Sequence, residues 1–121
     1  MRLQRRAFVF VIAMCSTLVT FGAHVRAQTM SVEDYVLDSA KLRGKTIAVS
    51  GKALCINELC YLYGESFNSN VLFKSEALPR DARKKLLSCD MFLNTCSVVI
   101  TGRVSGDMMN SLIATDISFS N

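Results

Sequence analysis

Histidine is nearly absent from this chain of 121 residues, in which His24 is the single copy. His24 lies in residues 1–27, a segment with the pattern of a leader that is removed during export. Without this leader, the chain has no imidazole to serve as a general base, a catalytic-triad member or a metal ligand. Enzymes built on Ser-His-Asp or Cys-His pairs are therefore excluded.

Clustered carboxylates are lacking as well. No D-x-D or E-x-x-H pattern occurs that would hold a metal ion, and Asp107 with Arg103 is the only pair that approaches the acid and arginine of a nuclease. The C-x-x-C spacing of dithiol redox enzymes is also missing. We therefore expect a protein that is not an enzyme and that uses no cofactor and no metal.

Residues 1–27 predict a cleavable signal peptide. Arginines near the start precede an apolar run over 7–21, and small residues further on fit cleavage between Ala27 and Gln28. A retained membrane anchor is the alternative, but the run is shorter than the roughly 20 apolar residues that a spanning helix needs. The pair Arg5-Arg6 also resembles a twin-arginine signal, so the Sec route and the twin-arginine route both fit.

The basic excess of the chain is confined to this leader. The whole sequence has 14 Lys and Arg against 10 Asp and Glu, and four of the arginines lie in residues 1–27. The basic and acidic residues that remain are equal in number, so no global field favours a polyanion. We expect residues 28–121 to be one neutral domain, periplasmic or secreted, without a membrane span.

Periodicity in this domain predicts two short helices and five strands. Ser31 and Asp34 resemble a capping box that begins a helix ending near Gly44, and Pro79 fits the first turn of a helix ending near Cys89. Apolar alternation and turn signals predict strands over 46–55, 59–64, 70–75, 97–104 and 112–119. After the opening helix, the order is three strands, a helix and two strands.

The four cysteines after the leader predict disulfides, because a small exported domain folds in an oxidising compartment. If Asn57-Glu58 is a hairpin turn, Cys55 lies opposite Cys60 and a cross-strand disulfide fits there. We favour this pair together with Cys89 and Cys96, although four cysteines allow three pairings. A four-cysteine zinc site is the alternative, but the C-x4-C and C-x6-C spacings differ from the usual zinc knuckle.

The element order is that of the OB-fold, a five-stranded Greek-key barrel with a helix between its third and fourth strands. Two similar segments support it, A-V-S-G-K over 48–52 and V-I-T-G-R over 99–103, because the strands that hold them pair in such a barrel. A glycine inside each strand allows the bulge or sharp coil that closes a small barrel. The predicted fold is a mainly β OB-fold barrel preceded by an N-terminal helix.

Four segments carry a family resemblance: L-R-G-K-T-I-A-V-S-G over 42–51, N-V-L-F over 70–73, V-V-I-T-G-R-V over 98–104 and L-I-A-T-D-I over 112–117. Together they resemble the bacterial OB-fold proteins called tRNA-anti-like, over roughly residues 41–119. The resemblance implies the fold far more than a function. The family name records ancestry shared with anticodon-binding domains and does not imply that an exported member binds RNA.

OB-folds bind ligands on the face of their second and third strands, rimmed by two of the connecting loops. Aromatic and basic residues occupy the matching positions and their flanks: Lys52, Tyr61, Tyr63, Phe67, Phe73, Lys74 and Arg103. Such side chains stack on bases or sugars and attract phosphates. Packing in the core or rim of the barrel is the alternative for the aromatics, because the sequence leaves the exposed side of the second strand undecided.

A second basic group lies on the predicted second helix and consists of Arg80, Arg83, Lys84 and Lys85. It would steer phosphate or an acidic partner. A solvated helix face is the commoner reason for such a group, and the OB-fold helix normally plugs the barrel end away from the ligand groove. We therefore do not place the main binding surface there.

These observations predict a non-catalytic, exported OB-fold module for binding or assembly. Its ligand is open among single-stranded nucleic acid, another envelope or secreted protein, and a further copy of the chain. One alternative is a structural subunit that docks on envelope proteins. Another, by analogy of fold with secreted toxin B-subunits, is a subunit that binds oligosaccharides.

Overall fold

The computed structural model describes residues 28–57 and 59–120. The predicted signal peptide over 1–27 lies outside the described residues, as do Glu58 and Asn121. The described elements are, in chain order, β1 (Thr29–Ser31), α1 (Val32–Leu42), β2 (Thr46–Ile56), β3 (Leu59–Tyr63), β4 (Asn70–Lys74), α2 (Arg80–Leu87), β5 (Cys96–Val104) and β6 (Leu112–Phe119). All except β1 match a predicted element, with ends that differ by at most about two residues, the usual spread of boundary assignments.

Residues at the ends of both helices stabilise those ends. The Ser31 hydroxyl accepts a hydrogen bond from the Asp34 amide at 3.1 Å, which satisfies a free N–H in the first turn of α1. Gly44 follows α1 with a φ of +80°, which glycine adopts without a Cβ clash. Pro79 precedes α2, and Lys84 and Lys85 in its last turn meet the negative end of the helix dipole.

The strands β2 to β6 close into a barrel. Antiparallel pairing joins β2 to β3, β3 to β4, β6 to β5, and β5 back to β2, while β4 and β6 pair in parallel. This is the strand order of the OB-fold, with α2 between the third and fourth barrel strands. The predicted fold, a mainly β OB-fold barrel preceded by an N-terminal helix, is confirmed.

The strand β1 is the element that the sequence did not predict. It pairs in parallel with β2, where Thr29 lies opposite Ala48 and Ser31 opposite Ser50. β3 pairs with β2 only from Lys52 onward, so β1 fills the part of the β2 edge that β3 leaves open. Three residues are too few to show the alternation that identifies a strand.

Two glycines let barrel strands approach closely. A Cβ at Gly51 would lie 2.5 Å from the Tyr63 carbonyl oxygen, and one at Gly102 would lie 2.2 Å from the Ile113 carbonyl oxygen. The β5–β6 ladder shifts register between Thr101 and Gly102, which is a bulge of the predicted kind. The strands that hold the two similar segments pair with each other, as predicted.

The two helices cover different parts of the barrel. Val32 of α1 is buried beside Gly51 and Tyr35 of α1 is buried beside Asn110, whereas Leu86 of α2 is buried beside Cys55 and Cys60. Between them, the inward side chains of the strands form one core, which includes Val49, Ala53, Leu62, Phe73, Val98, Ile100, Val104 and Leu112. No helix within residues 28–57 and 59–120 is long and apolar enough to cross a membrane.

Candidate functional site

The two predicted disulfides are present. Cys55 bonds to Cys60 across the β2–β3 hairpin with Cα atoms 4.0 Å apart, and Cys89 bonds to Cys96 between α2 and β5 with Cα atoms 5.5 Å apart. Asn57 has a φ of +60°, which suits the predicted two-residue turn. Because bonding consumes all four thiols, the alternative of a four-cysteine zinc site is wrong.

The pairing register decides which side of β3 is exposed. Cys60 and Leu62 face the core, so Tyr61 and Tyr63 lie on the outer side of the barrel and are half-buried. Neighbouring strands bring further side chains to the same side. We define the outer face as the outward residues of β2, β3 and β4, namely Lys52, Leu54, Ile56, Leu59, Tyr61, Tyr63, Asn70, Leu72 and Lys74.

Three aromatic rings form a row along the outer face. The ring centroids of Tyr61 and Tyr63 are 6.1 Å apart, and the ring of Phe67 meets that of Tyr63 edge-on at 5.8 Å. Phe67 belongs to the loop between β3 and β4, and Lys52 lies directly opposite Tyr63 in the sheet. The structure thus brings together four of the predicted residues into a surface that suits flat or apolar groups.

Phe73, which was also predicted to contact a ligand, is a core residue. Its side chain is 2% exposed, because on β4 it faces the barrel interior together with Val71, whereas Leu72 and Lys74 face outward. Consecutive residues of a strand face opposite sides, so Phe73 and Lys74 cannot share one surface. The prediction for Phe73 is wrong, and its role is to fill the core.

Arg103 lies away from the outer face. It is opposite Thr46 in the β2–β5 ladder, whereas Lys52 is opposite Ser97, six residues further along β2. At about 3.3 Å per residue, this separates the two basic residues by about 20 Å. The prediction that Arg103 and Lys52 belong to one binding surface is therefore wrong.

The loop over residues 105–111, between β5 and β6, rims the outer face. Lys74 Nζ lies 3.9 Å from Asp107 Oδ2, and the Ser111 hydroxyl donates to the same oxygen at 2.9 Å. Hydrogen bonds from the hydroxyls of Ser105 and Ser111 lower the pKa of Asp107 to about 2. The carboxylate therefore stays charged at neutral pH and holds this loop together from within.

The helix α1 borders the same loop. The Tyr35 hydroxyl donates to the Asn110 carbonyl oxygen, and Arg43 Nε donates to the Asn110 side-chain oxygen at 2.7 Å. Burial, and then the negative charge of Asp107, raises the pKa of Tyr35 to about 12. The phenol therefore remains a donor at neutral pH and ties the helix to the loop.

A small groove between α1 and the outer face extends the candidate site. It has a volume of about 190 Å³, and its lining includes Val36, Tyr61, Leu72 and Met109. The contribution of α1 and of Met109 to this site was not predicted from the sequence. Val36 was visible as part of the apolar stripe of the helix, but the stripe alone does not reveal which strand the helix packs against.

The basic residues of α2 lie at the barrel end beside the hairpin disulfide. Arg80, Arg83 and Lys84 line a groove of about 460 Å³ next to Cys55 and Cys60. Lys85 turns elsewhere, since its Nζ lies 4.4 Å from the centre of the Phe119 ring. Across the described part of the chain, no three side chains of His, Cys, Asp or Glu are grouped to hold a metal ion.

No protein-family model and no curated protein sequence matches the chain. Solved structures are similar at low sequence identity. The S. pombe Stn1–Ten1 complex aligns with a TM-score of 0.51 at 14% identity, over 80% of this chain and 79% of that chain. This likeness, together with the strand order, shows the OB-fold.

Two further solved structures score slightly lower. Asparaginyl-tRNA synthetase from Pyrococcus horikoshii, complexed with asparaginyl-adenylate, has a TM-score of 0.48 at 14% identity over 65% of this chain. The chain spans only 20% of that synthetase. Replication protein A from U. maydis, bound to ssDNA, has a TM-score of 0.46 at 18% identity over 80% of this chain and 77% of that chain.

Proposed function

We propose that residues 28–121 form an exported, non-catalytic OB-fold module that binds another polypeptide chain through the outer face. The observation that carries this proposal is that exposed apolar side chains are concentrated on a face whose positive and negative charges are nearly equal. The OB-fold is a scaffold whose outer strands and loops serve binding. The partner would lie across β2, β3 and β4, between α1 and the loop over 105–111.

Apolar side chains are exposed on the outer face and at its borders. Ile56 is 56% exposed and Leu59 is 54% exposed, and both lie at the tip of the β2–β3 hairpin. Phe67 and Met109 extend the apolar surface on either side. Contiguous apolar surface on a soluble domain marks places where another molecule binds, and aromatic residues and methionine are enriched in protein interfaces.

The charges around the outer face favour a protein over a polyanion. Lys52 and Lys74 are its two cations, and Lys74 already lies near the Asp107 carboxylate. Glu33 accepts a hydrogen bond from the Glu65 amide beside the groove that Lys52 and Tyr63 help to line. A nucleic-acid strand would therefore meet about as much negative as positive charge there, which offsets the usual phosphate attraction.

Export is supported by the leader pattern and by the two disulfides, which form and persist in oxidising compartments. We expect the full chain, expressed in a bacterium with a C-terminal tag, to reach the periplasm or the medium and to begin at Gln28. N-terminal sequencing of the tagged protein checks this. Recovery from the cytoplasm with residues 1–27 still attached would contradict it. The finer assignment to the tRNA-anti-like family stays a prediction.

Site-specific crosslinking tests the polypeptide partner. A photoreactive amino acid at Leu59 should form a discrete adduct in the cells that export the chain, whereas the same group at Asp116, which is exposed on β6, should not. Tyr61→Ala should lower the yield of the Leu59 adduct about tenfold, because truncating an interface aromatic weakens binding strongly. Equal adducts from both positions, or no adduct from Leu59, would count against the outer face.

Single-stranded nucleic acid is the second candidate ligand, and the aromatic row favours it. Bases stack on such rings without regard to sequence, so Tyr61→Ala and Tyr63→Ala should each weaken binding about tenfold. The purified domain and a labelled oligonucleotide at low salt provide the test. Affinity that falls steeply with added salt would favour this candidate. Unchanged mobility of the oligonucleotide at low salt eliminates it.

The oligosaccharide alternative makes a different prediction about assembly. Toxin B-subunits of this fold act as rings, so the oligosaccharide alternative predicts that the domain forms a closed oligomer before it binds a glycan. Mass measurement in solution separates the possibilities. A monomeric mass at the concentration used for binding would rule out the ring and favour a module that binds as a single copy.

A further inference from the structure

The connection between α2 and β5 is a closed and internally braced loop. We call residues 90–95, which the Cys89–Cys96 disulfide encloses, the tip loop. Asp90 Oδ1 accepts hydrogen bonds from the amides of Phe92, Leu93 and Asn94 at 2.8, 2.7 and 2.9 Å. The Asn94 side chain donates back to the Ser88 carbonyl oxygen at 2.6 Å. The tip loop is therefore held in one shape from both ends.

This braced loop presents two apolar side chains to solvent. Phe92 is 88% exposed and Leu93 is 95% exposed, and neither packs on the barrel. Leu87, at the end of α2 and shortly before the tip loop in the sequence, is exposed as well. A rigid loop that displays Phe and Leu loses little further conformational entropy when these side chains are buried by something else.

The helix that leads into the tip loop is basic. Arg80, Arg83, Lys84 and Lys85 lie on α2, and the single ion pair within the described residues, Lys74 with Asp107, involves none of them. Asp90 is the acidic residue of the tip loop, and its carboxylate points inward at the loop amides, which lower its pKa. An exposed apolar loop that directly follows a basic helix complements a surface that is apolar inside and negative outside.

We propose that the tip loop is a contact for an anionic lipid surface, into which Phe92 and Leu93 insert while the cations of α2 meet the headgroups. Apolar residues on one side and Lys or Arg on the other are the composition of interfacial membrane contacts. The tip loop belongs to the α2 end of the barrel and uses no residue of the outer face. The proposal is therefore independent of the polypeptide partner proposed above.

The backbone amides of the tip loop already have hydrogen-bond partners, as shallow insertion into a lipid surface requires. Amides that enter the poorly hydrated part of a bilayer must already have hydrogen-bond partners, because unsatisfied ones are costly there. Asp90 accepts from the amides of the two residues that would insert and of the next one. Because Asp90 is charged, it would stay at the level of the headgroups while only the side chains of Phe92 and Leu93 insert.

Sedimentation with vesicles tests the proposal on the purified domain. We expect it to bind vesicles that contain phosphatidylglycerol and to bind pure phosphatidylcholine vesicles more weakly, since the latter lack net charge. The double variant Phe92→Ser with Leu93→Ser should lower the bound fraction about tenfold, because it removes the apolar groups that insert. The control Met108→Ser removes an apolar side chain of another loop that is 95% exposed, as Leu93 is, and should bind like the wild type.

A second variant tests the bracing separately from the apolar tip. Asp90→Ala keeps Phe92 and Leu93 but removes the acceptor of three amides, so it should also weaken vesicle binding. The variants are on the surface, and cooperative urea unfolding with intact disulfides by mass confirms that they fold.

Three results would overturn the proposal: no binding of the wild type to anionic vesicles, equal binding by the Phe92 and Leu93 variant, or equal loss in the methionine control. Binding of the tip loop to a protein without any binding to vesicles would also overturn it, in favour of a protein pocket.

Discussion

At Gly51 and Gly102 the lack of a side chain sets the distance between neighbouring strands. The two positions differ in what a Cβ would meet. At Gly51 one backbone atom, the Tyr63 carbonyl oxygen, is nearest, and the Leu62 and Val32 side chains follow, whereas at Gly102 all three nearest atoms belong to the backbone of Ile113 and Ala114. Side chains can rotate, but the backbone of a paired strand cannot move without loss of its hydrogen bonds. Gly102 is therefore the less replaceable of the two.

We predict that Gly102→Ala lowers the free energy of unfolding by about 2 to 3 kcal/mol, in the upper range of overpacking effects. The physical cause is the approach of the new Cβ to the Ile113 carbonyl group across the bulge. Urea unfolding of the purified domain measures it. Gly106→Ala is the matched control, because nothing lies within 4 Å of a Cβ there. Equal stability of the two variants would contradict the argument.

Alternation along a strand shows what the sequence does and does not determine at single residues. On β4, polar Lys74 indicates the outward side, and the adjacent Phe73 must then face inward, so the burial of Phe73 was predictable from the strand itself. On β3, by contrast, Cys60, Leu62, Tyr61 and Tyr63 are all compatible with a core. Only pairing with β2 and β4 decides that the tyrosines face outward.

The loop over 105–111 is stabilised by hydrogen bonds within it. Asp107 receives hydrogen bonds from Ser111 and from the Met109 amide, and Lys74 approaches it from β4. The hydroxyls of Ser105 and Ser111, together with the Met109 amide, favour the charged carboxylate, so the pKa of Asp107 falls from an ordinary 3.8 to about 2. The contribution of Asp107 to stability is therefore complete above about pH 4 and is lost as the pH falls toward 2.

We predict that the stability of the wild type falls more steeply between about pH 5 and about pH 2 than that of Asp107→Asn, because the variant has no charge to lose at this position. At neutral pH the variant should be the less stable of the two, since an amide accepts hydrogen bonds more weakly than a carboxylate. Urea unfolding across this pH range provides the comparison. Parallel pH profiles for the two proteins would refute the role of Asp107.

Local signals at the scale of elements predicted the ends of α1 well but not its position. Ser31 and Gly44 are visible in the sequence as the start and stop of a helix. The contacts that dock α1 join Tyr35 and Arg43 to Asn110, which is 75 and 67 positions away in the chain. Hydrogen bonds of that range leave no periodic trace, so the rim that α1 gives to the outer face could not be predicted.

The whole barrel combines a modest core with two covalent rings. The predicted strand order and the disulfide pairs are present, because both follow from patterns within short segments. The candidate face is only partly as predicted, since Tyr61, Tyr63 and Lys52 lie together but Arg103 does not. Which residues share a site depends on the geometry of the barrel, because two residues on paired strands can still lie far apart along the strands.

We predict that reduction lowers the free energy of unfolding by about 4 kcal/mol, since each short ring removes about 2 kcal/mol of chain entropy from the unfolded state. Urea titration with and without reductant measures this. The double variants Cys55→Ser with Cys60→Ser, and Cys89→Ser with Cys96→Ser, should each account for about half. Intact masses before and after reduction should differ by four hydrogens. Equal masses would show that the bonds do not form.

Both disulfides join cysteines that are close in the chain, at separations of 5 and 7 positions. Closing a short loop costs less entropy than closing a long one, so in the unfolded chain each thiol meets its proper partner more often than a thiol of the other pair. Oxidation can then occur before β2 and β5 find each other. We therefore expect efficient oxidative refolding with a simple oxidant and little benefit from a disulfide isomerase.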